Sequence, residues 1–345
     1  MAEVHNPLRS TRFANMCVAN WLFHTFIFAQ LPIFSQRMSE FPDSKSFSFE
    51  CIVAFVLGMV LQGPFCAHLL ERHKRKSLYL NALFLIAISS LGCILLPTHH
   101  RLTIVFCLFA EGVAYGISQI AMGGTIVNDM LLSAHRTKGD CIYGWTTRLG
   151  IPCGILAGTL LNTFFNGPTG YGWSLCTLAL SYVFVAQTTI PVKAPVKMAV
   201  FTLDRFFLPS SWPRMLMLLP IALLTGCMLF YVKDILVIAS LLAGGLIALC
   251  ADQLLTSRLR TYSRLSIGYS LVALSLLMYA LCASSFYGMI LCMLITSMGL
   301  ATASANLLAI TVEKSEHCQR GTAQNTHLLV WGVGLAAGYS LCFLA

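Results

Sequence analysis

Long apolar stretches separated by short polar links dominate the pattern of this chain. A helix needs about 20 largely apolar residues to cross the hydrocarbon core of a bilayer. Eleven stretches meet that length, at residues 13–34, 48–70, 77–97, 102–130, 144–166, 172–192, 214–232, 235–255, 265–283, 286–311 and 324–345. The pattern therefore predicts an all-α polytopic membrane protein with eleven transmembrane helices and no separate soluble domain.

The composition supports this interpretation. Of the 345 residues, 57% are hydrophobic and only 10% are charged. Soluble domains carry about 25% charged residues, so an ordinary soluble enzyme and a nucleic-acid-binding protein are excluded. Most of the 14 cysteines lie in apolar stretches, where they behave as small hydrophobic residues. No C-x-x-C spacing occurs, and we expect neither a metal site nor a cofactor.

The positions of the basic residues predict the orientation. If the N-terminus is cytoplasmic, most Lys and Arg residues fall in loops on the inner side, including the cluster at 72–76. The positive-inside rule favours that arrangement. The basic residues placed in outer loops are Arg37, Lys45, Arg101 and Lys233. We therefore expect a multi-pass protein of the cell (inner) membrane, with its N-terminus inside and its C-terminus outside.

The longest inner link, from Lys193 to Arg214, divides the predicted spans into six and five. This division predicts an N-terminal bundle at 1–192, a cytoplasmic linker at 193–213 and a C-terminal bundle at 214–345. The linker is either a plain connection or an amphipathic stretch on the inner membrane surface. The aromatic residues that favour the second interpretation are Phe201, Phe206, Phe207 and Trp212.

Spans four and ten share a pattern that indicates internal duplication. Residues 112–119 and 299–306 both begin Gly-x-Ala, at an offset of 187 positions (299 − 112). They end in the amides Gln119 and Asn306. Transporters often contain such weak repeats, so these amides are expected to face each other across a pseudo-twofold axis. In a parallel repeat the sixth span would pair with a twelfth span, which the prediction lacks.

The inner loop after the second span carries the most specific motif. It contains, in order, Ala67, Glu71, Arg72, Arg75 and Lys76. This loop resembles the signature loop of the major facilitator superfamily, Gly-x-x-x-Asp-Arg-x-Gly-Arg-Lys/Arg. Ala67 replaces the first Gly of that pattern, Glu71 replaces its Asp and Lys74 replaces its second Gly.

The resemblance implies a two-bundle fold in which this loop is a latch on the inner face. Glu71 is expected to pair with Arg72 and to meet a neighbouring helix terminus. The alternative is that the basic residues only fix the topology. In span five, Gly150, Pro152 and Gly154 partly resemble a Gly-Pro-x-x-Gly element of the family's antiporters. The segment FTLDRFFLP (201–209) resembles a subgroup of bacterial members of unknown substrate.

A polar stripe runs along the fourth span at helical spacing. Its members are Glu111, Tyr115, Ser118, Met122, Thr125 and Asp129. Charged residues inside spans are costly and suggest function. The stripe is therefore expected to face a water-filled cavity, in which Glu111 exchanges a proton. The alternative is a protonated Glu111 that hydrogen-bonds to a neighbouring helix.

Other polar residues within the spans are also candidates. Asp129 is expected to pair with an inner-loop base or with Arg148. Arg148 itself either extends to the inner interface or balances Asp129 or an anionic substrate. Asn20 and His24 lie four residues apart and share a helix face. That pair is interpreted as lining the cavity, although a histidine within a span is often only a packing partner.

These features favour a secondary active transporter that moves a small organic solute by alternating access. No P-loop sequence occurs, so the energy would come from protons or another coupling ion. Proton-coupled efflux is preferred, with uptake of a sugar or metabolite as the alternative.

A membrane-embedded transferase would need clustered catalytic groups, and His99, His100 and Arg101 form the only dense group. A non-transporting sensor is a further alternative. The expected partners are the solute, the coupling ion and the bilayer, and the expected state is a monomer.

Overall fold

The computed structural model describes residues 7–39, 41, 43–97, 100–131, 135–165, 167–190, 199–231, 234–254, 259–282, 285–316 and 318–344. In these ranges the regular secondary structure is helical. The structure therefore confirms the all-α fold class. His99, Lys233 and residues 193–198 of the predicted linker lie outside the described residues.

The long helices follow the predicted apolar stretches with shifted ends. They are α1 (Thr11–Met38), α2 (Ser44–Leu61), α3 (Gly63–Arg72), α4 (Arg75–Leu95), α5 (Arg101–Ala121), α6 (Val127–Met130), α7 (Arg136–Phe164), α8 (Gly167–Gln187), α9 (Trp212–Tyr231), α10 (Ile235–Leu254), α11 (Thr261–Cys282), α12 (Phe286–Glu313) and α13 (Arg320–Leu344). Short 3₁₀ turns occupy Pro7–Arg9 and Pro209–Ser211.

Two predicted spans are interrupted. The second span breaks between α2 and α3, where Pro64 lies in the first turn of α3. Proline has no N–H and its ring clashes with the carbonyl four residues earlier, so α2 does not continue through it. The fourth span changes between α5 and α6 into a π-helical turn, Met122–Ile126, which contains two glycines. Such turns are rare and often lie at functional sites.

The helices pack in two groups. In the first, α1 lies against α7 and α8, and α5 lies against α2 and α4. In the second, α12 lies against α10 and α11, while α13 packs on α9. We call α1–α8 the N-terminal bundle and α9–α13 the C-terminal bundle. They meet where α7 contacts α10 and α12, and where α13 contacts α2 and the π-turn.

Nine helical segments of the described chain are long and apolar enough to cross a membrane. Helices α7 and α8 are not among them. Charged and small residues lower the hydropathy of α7, and α8 begins with a polar stretch. The count of eleven spans and the predicted domain boundaries therefore stay predictions.

Candidate functional site

The two bundles enclose a cavity of about 180 Å³, which we call the central cavity. Its inner part is bounded by His24, Glu111 and Tyr115, near the middle of α1 and α5. It extends to Met38 and Phe343, at the far ends of α1 and α13. We call this end of the molecule the rim. The opposite end, which carries the basic loop at 72–76, is called the basic end.

Glu111 is the acidic side chain in the wall of the central cavity. Only 2% of it is exposed, and its Oε2 atom has no hydrogen bond within the described part of the chain. Gln30 of α1 lines the same cavity, and both polar atoms of its amide also lack partners there. Buried polar groups are normally hydrogen-bonded. The cavity wall can therefore bind water, a proton or a polar solute group.

His24 is held in one orientation at the inner part of the cavity. Its Nδ1 lies 2.9 Å from the carbonyl oxygen of Asn20. Its Nε2 lies 3.0 Å from the amide nitrogen of Gln119 on α5. These contacts fit a neutral imidazole that donates from Nδ1 and accepts at Nε2. The Gln119 oxygen has no partner among the described residues, and Tyr115 packs edge-on to the histidine ring.

Asn20 lies between helices and does not line the central cavity. Its amide donates to the hydroxyl oxygens of Thr146 and Thr147 at 2.7 and 2.9 Å. Its oxygen accepts from the Tyr143 hydroxyl at 2.7 Å. Asn20 therefore joins α1 to α7. The expectation that it lines the cavity is corrected, because its hydrogen-bonding atoms are used between these helices.

The glycines of span five allow α7 to approach α1 closely. A Cβ added at Gly150 would lie 2.6 Å from the Cβ of His24, and one at Gly154 would lie 2.5 Å from the Thr25 carbonyl. Larger residues would push the helices apart and displace His24. Pro152 lies on another face of α7, beside a second, smaller cavity described below.

The polar stripe of span four faces the central cavity only in part. Glu111 and Tyr115 line it, whereas Ser118 is fully buried and donates to a carbonyl of its own helix. Met122 and Thr125 are buried within the π-turn. Because a π-turn holds more residues per turn than an α-helix, constant α-helical spacing does not apply beyond it. The prediction of a continuous cavity-facing stripe is therefore wrong.

The amides Gln119 and Asn306 do not form a pair. Gln119 contacts His24, whereas Asn306 donates to the Thr302 carbonyl of its own helix at 2.8 Å. Neither side chain hydrogen-bonds to the other within the described residues. The expectation that they face each other across a pseudo-twofold axis stays a prediction.

Four charged residues form a cluster at the basic end, which we call the ionic cluster: Glu71, Arg75, Asp129 and Arg205. Glu71 accepts from Arg75 at 2.9 Å and from Arg205 at 2.6 Å. Arg75 also pairs with Asp129. Asp129 thus pairs with an inner-loop base, one of its two expected partners.

The expected pair between Glu71 and Arg72 is corrected. Arg72 is exposed at the end of α3, whereas Arg75, the first residue of α4, pairs with Glu71 across the break between the two helices. Lys76 donates to the Ala186 and Thr188 carbonyls at 2.6 and 2.9 Å, at the end of α8. Ala67 is fully buried.

The linker joins the two bundles through its backbone. Arg205 has a left-handed conformation, with φ of 62°, and its N–H donates to the Asp204 carboxylate at 2.9 Å. Its carbonyl accepts from Asn325 of α13 at 2.8 Å. The Leu208 N–H donates to Thr326 of α13, also at 2.8 Å. Arg205 therefore contacts both bundles, through its guanidinium and through its carbonyl.

Phe206 is inserted between the bundles at the basic end. It is 7% exposed, its ring covers Gly63, and it faces a small space that is also lined by Gln119 and Asn325. Phe201 and Trp212 are 66% and 54% exposed. The expectation that all the linker aromatics lie on the membrane surface is therefore corrected for Phe206, whose burial places it below the central cavity.

Helix α13 crosses the π-turn with almost no space between their backbones. A Cβ at Gly321 would lie 2.1 Å from the Gly124 carbonyl oxygen. With its amide oriented to satisfy both contacts, Gln324 donates to Asp140 of α7 at 2.9 Å and to the Gly123 carbonyl at 3.0 Å. Asp140 is fully buried. Asp140 is not among the residues predicted from the sequence, because a charge near the start of a span resembles a loop residue.

Arg148 lies at a second contact between the bundles. Its Nε donates to the Ser304 hydroxyl and its Nη2 to the Ser304 carbonyl, both at 2.8 Å. Nη2 also lies 3.5 Å from Nε2 of His327, and the guanidinium lies over the Trp145 ring. Next to it is a cavity of about 60 Å³, which we call the side cavity. Arg148 does not pair with Asp129, which Arg75 holds.

Comparisons with known proteins agree with this architecture. The sequence profile of the Major Facilitator Superfamily matches residues 16–339. No curated protein sequence matches the chain at a significant level. Among solved structures, the human organic anion transporter MFSD10 has a TM-score of 0.66 at 14% identity, covering 96% of this chain and 91% of that protein.

Two further structures are similar. A bacterial homologue of the iron transporter ferroportin, in an outward-facing state, has a TM-score of 0.66 at 15% identity and covers 96% and 91% of the two chains. The fucose:proton symporter FucP of E. coli has a TM-score of 0.58 at 12% identity and covers 96% of each. At these identities the likeness shows the fold alone.

Proposed function

Because this chain belongs to the major facilitator superfamily, a family of transporters, we propose that it exports a small organic solute by proton-coupled alternating access. The observation that carries the proposal is the asymmetry of the bundle interface. The central cavity reaches the rim, whereas the basic end is closed by the ionic cluster, the linker and α13. One of two access states is expected to have this shape.

Transport requires the opposite state, with the basic end open and the rim closed. In that change α13 and the linker would leave the π-turn, and the contacts of Arg205 with Glu71 and Asn325 would break. This geometry supports the proposed latch role of the loop. Glu71 would stabilise this state relative to the other, because its contact with Arg205 would be absent from the other state.

Glu111 is the proposed proton carrier. A carboxylate with an unpartnered buried oxygen in a mostly apolar cavity is costly, and protonation removes the charge. Binding of a proton and binding of the solute are then coupled through the same wall, with a reciprocal effect of each on the other. In an exporter the two would bind in alternate access states.

The proposed orientation places the N-terminus and the basic end in the cytoplasm and the rim outside, in the cell (inner) membrane. The proposed functional unit is a monomer, because the central cavity is formed within one chain. Uptake of a sugar or metabolite with protons is the alternative. It uses the same cavity and differs in the direction of coupled flux.

Flux in proteoliposomes tests the proposal. Aromatic carboxylates, amides and amines would be assayed with and without an imposed pH gradient, with a trapped pH indicator to follow protons. We expect solute and protons to move in opposite directions, and Glu111→Gln to abolish the response to the gradient. Glu50→Gln, which alters an exposed acid paired with Arg101, should transport normally. Parallel flux would support the uptake alternative, and no gradient-dependent flux of any compound would contradict proton-coupled transport.

A further inference from the structure

We propose that the transported solute is an organic anion and that Arg148 supplies its countercharge in the side cavity. This proposal rests on the proposed transport function, because it names the substrate class for the same pathway. Its basis is a partly buried cation that has polar contacts but no carboxylate partner among the described residues.

The acidic groups around Arg148 are bound elsewhere. Asp252, the carboxylate that acts on Arg148 at longer range, is held by Arg264 at 3.1 Å. Asp129 pairs with Arg75, and Asp140 accepts from Gln324. Arg148 itself donates to the neutral oxygens of one serine. No carboxylate of the described residues pairs with Arg148, so the site has an excess of positive charge, and a charge partly removed from water is costly unless it is paired.

Donors near Arg148 also exceed the acceptors. Its Nη1 makes no hydrogen bond within the described residues. His327 is 2% exposed, and its Nε2 faces an N–H of Arg148 and can only accept from it. In the neutral ring Nδ1 then carries the hydrogen, and this buried atom has no partner in the described chain. An anion in the side cavity would supply acceptors for the Arg148 guanidinium, and a carboxylate or phosphonate matches its planar shape.

The position of the side cavity fits a site on the transport pathway. Arg148 belongs to the N-terminal bundle, whereas Ser304 and His327 belong to the C-terminal bundle. Relative movement of the bundles would therefore rearrange the site. The side cavity shares Ile151 and Trp331 with the central cavity, so these two side chains separate Arg148 from the space beside Glu111. The other walls are largely apolar, which favours an anion with an aromatic or aliphatic body.

Ligand-dependent thermal unfolding of the full chain in nanodiscs tests this proposal. The probes are benzoate and phenylphosphonate, with benzamide as the neutral isostere of benzoate and benzylamine as a cation. We expect the two anions to raise the melting temperature in a concentration-dependent way and the other two compounds to have little effect. In Arg148→Gln the apparent affinity for benzoate should fall tenfold or more. Arg101→Gln removes a cation near the rim, and this control should keep the wild-type response.

Arg148→Lys keeps the charge without the planar fork and should retain an intermediate preference for benzoate. If Arg148→Gln does not fold, two other variants still test the site. They are Arg148→Lys and His327→Gln, and His327→Gln should weaken benzoate binding. The proposal is overturned if benzamide stabilises the protein as well as benzoate, if no anion stabilises it, or if Arg148→Gln keeps the anion preference. The unfolding assay uses no pH gradient and therefore reports anion binding separately from transport. If anions stabilise the protein but the proteoliposome assay shows no proton-driven flux, only the proposed transport function is contradicted.

Discussion

The two ends of the bundle interface are closed to different degrees and by different chemistry. At the rim, two polar contacts of the described residues lie within the N-terminal bundle, Arg101 with Glu50 at 2.6 Å and Arg37 with the Leu96 carbonyl at 2.7 Å. At the basic end, polar contacts join the linker and α13 to the N-terminal bundle. The basic end is thus held closed by a few contacts that can be removed one at a time. Each removal should favour opening at the basic end.

The buried linker aromatic should have the largest effect. Phe206→Ala removes a ring packed between the bundles, and large-to-small changes in a core cost about 3–5 kcal/mol. Modification of Cys66, a buried thiol one turn from Gly63, should become faster by an order of magnitude or more. Maleimide labelling with peptide-level mass spectrometry measures this rate.

Phe201→Ala provides the matched control for that experiment. Phe201 belongs to the same linker but is mostly exposed, so the rate at Cys66 should not change. Equal rates in wild type and Phe206→Ala would show that Phe206 does not close the basic end.

Loss of the acid in the ionic cluster should have the next largest effect. In Glu71→Gln, Arg75 keeps Asp129, but Arg205 loses its carboxylate. Removing one partner of a buried pair costs about 3–5 kcal/mol, and less is expected here because Arg205 is 25% exposed. Solute flux should fall roughly tenfold, while expression and membrane insertion stay normal.

The comparison variant is Arg72→Gln. Arg72 neighbours Glu71 in the motif but is exposed, and flux should stay close to wild type. Normal transport by Glu71→Gln would contradict the latch role of this loop.

The smallest effect is expected where the backbones approach each other. Gly321→Ala places a methyl group 2.1 Å from the Gly124 carbonyl oxygen, and overpacking costs about 1–3 kcal/mol. The melting temperature should fall by several degrees. Gly172→Ala is the control, because a Cβ there meets nothing within 4 Å. Equal melting temperatures for both variants would show that α13 does not need this close approach.

The sequence predicted the helical architecture and the family because both depend on local patterns. Apolar stretches long enough to span a bilayer indicate helices, and the loop at 67–76 keeps its family spacing. Glu111 was identified for the same reason, since an acid in an apolar helix is conspicuous.

The contacts of the basic end could not be predicted in this way. Glu71 binds Arg205, which is distant in the sequence, and only the tertiary fold brings them together. The π-turn after Ala121 altered the helical register, so the spacing that related Glu111 to Asp129 did not give a common face. Asp140 was missed because its burial depends on α13, which packs over it.

The distance between the bundles at the basic end tests the central claim most directly. Spin labels attached to genetically encoded p-acetylphenylalanine at Arg72 and Glu313, both exposed, avoid the native cysteines, and double electron–electron resonance in nanodiscs gives the distance distribution. We predict a major short distance with a minor longer one, and growth of the longer one in Glu71→Gln. A single distance that is the same in wild type and Glu71→Gln would contradict alternating access controlled at this end.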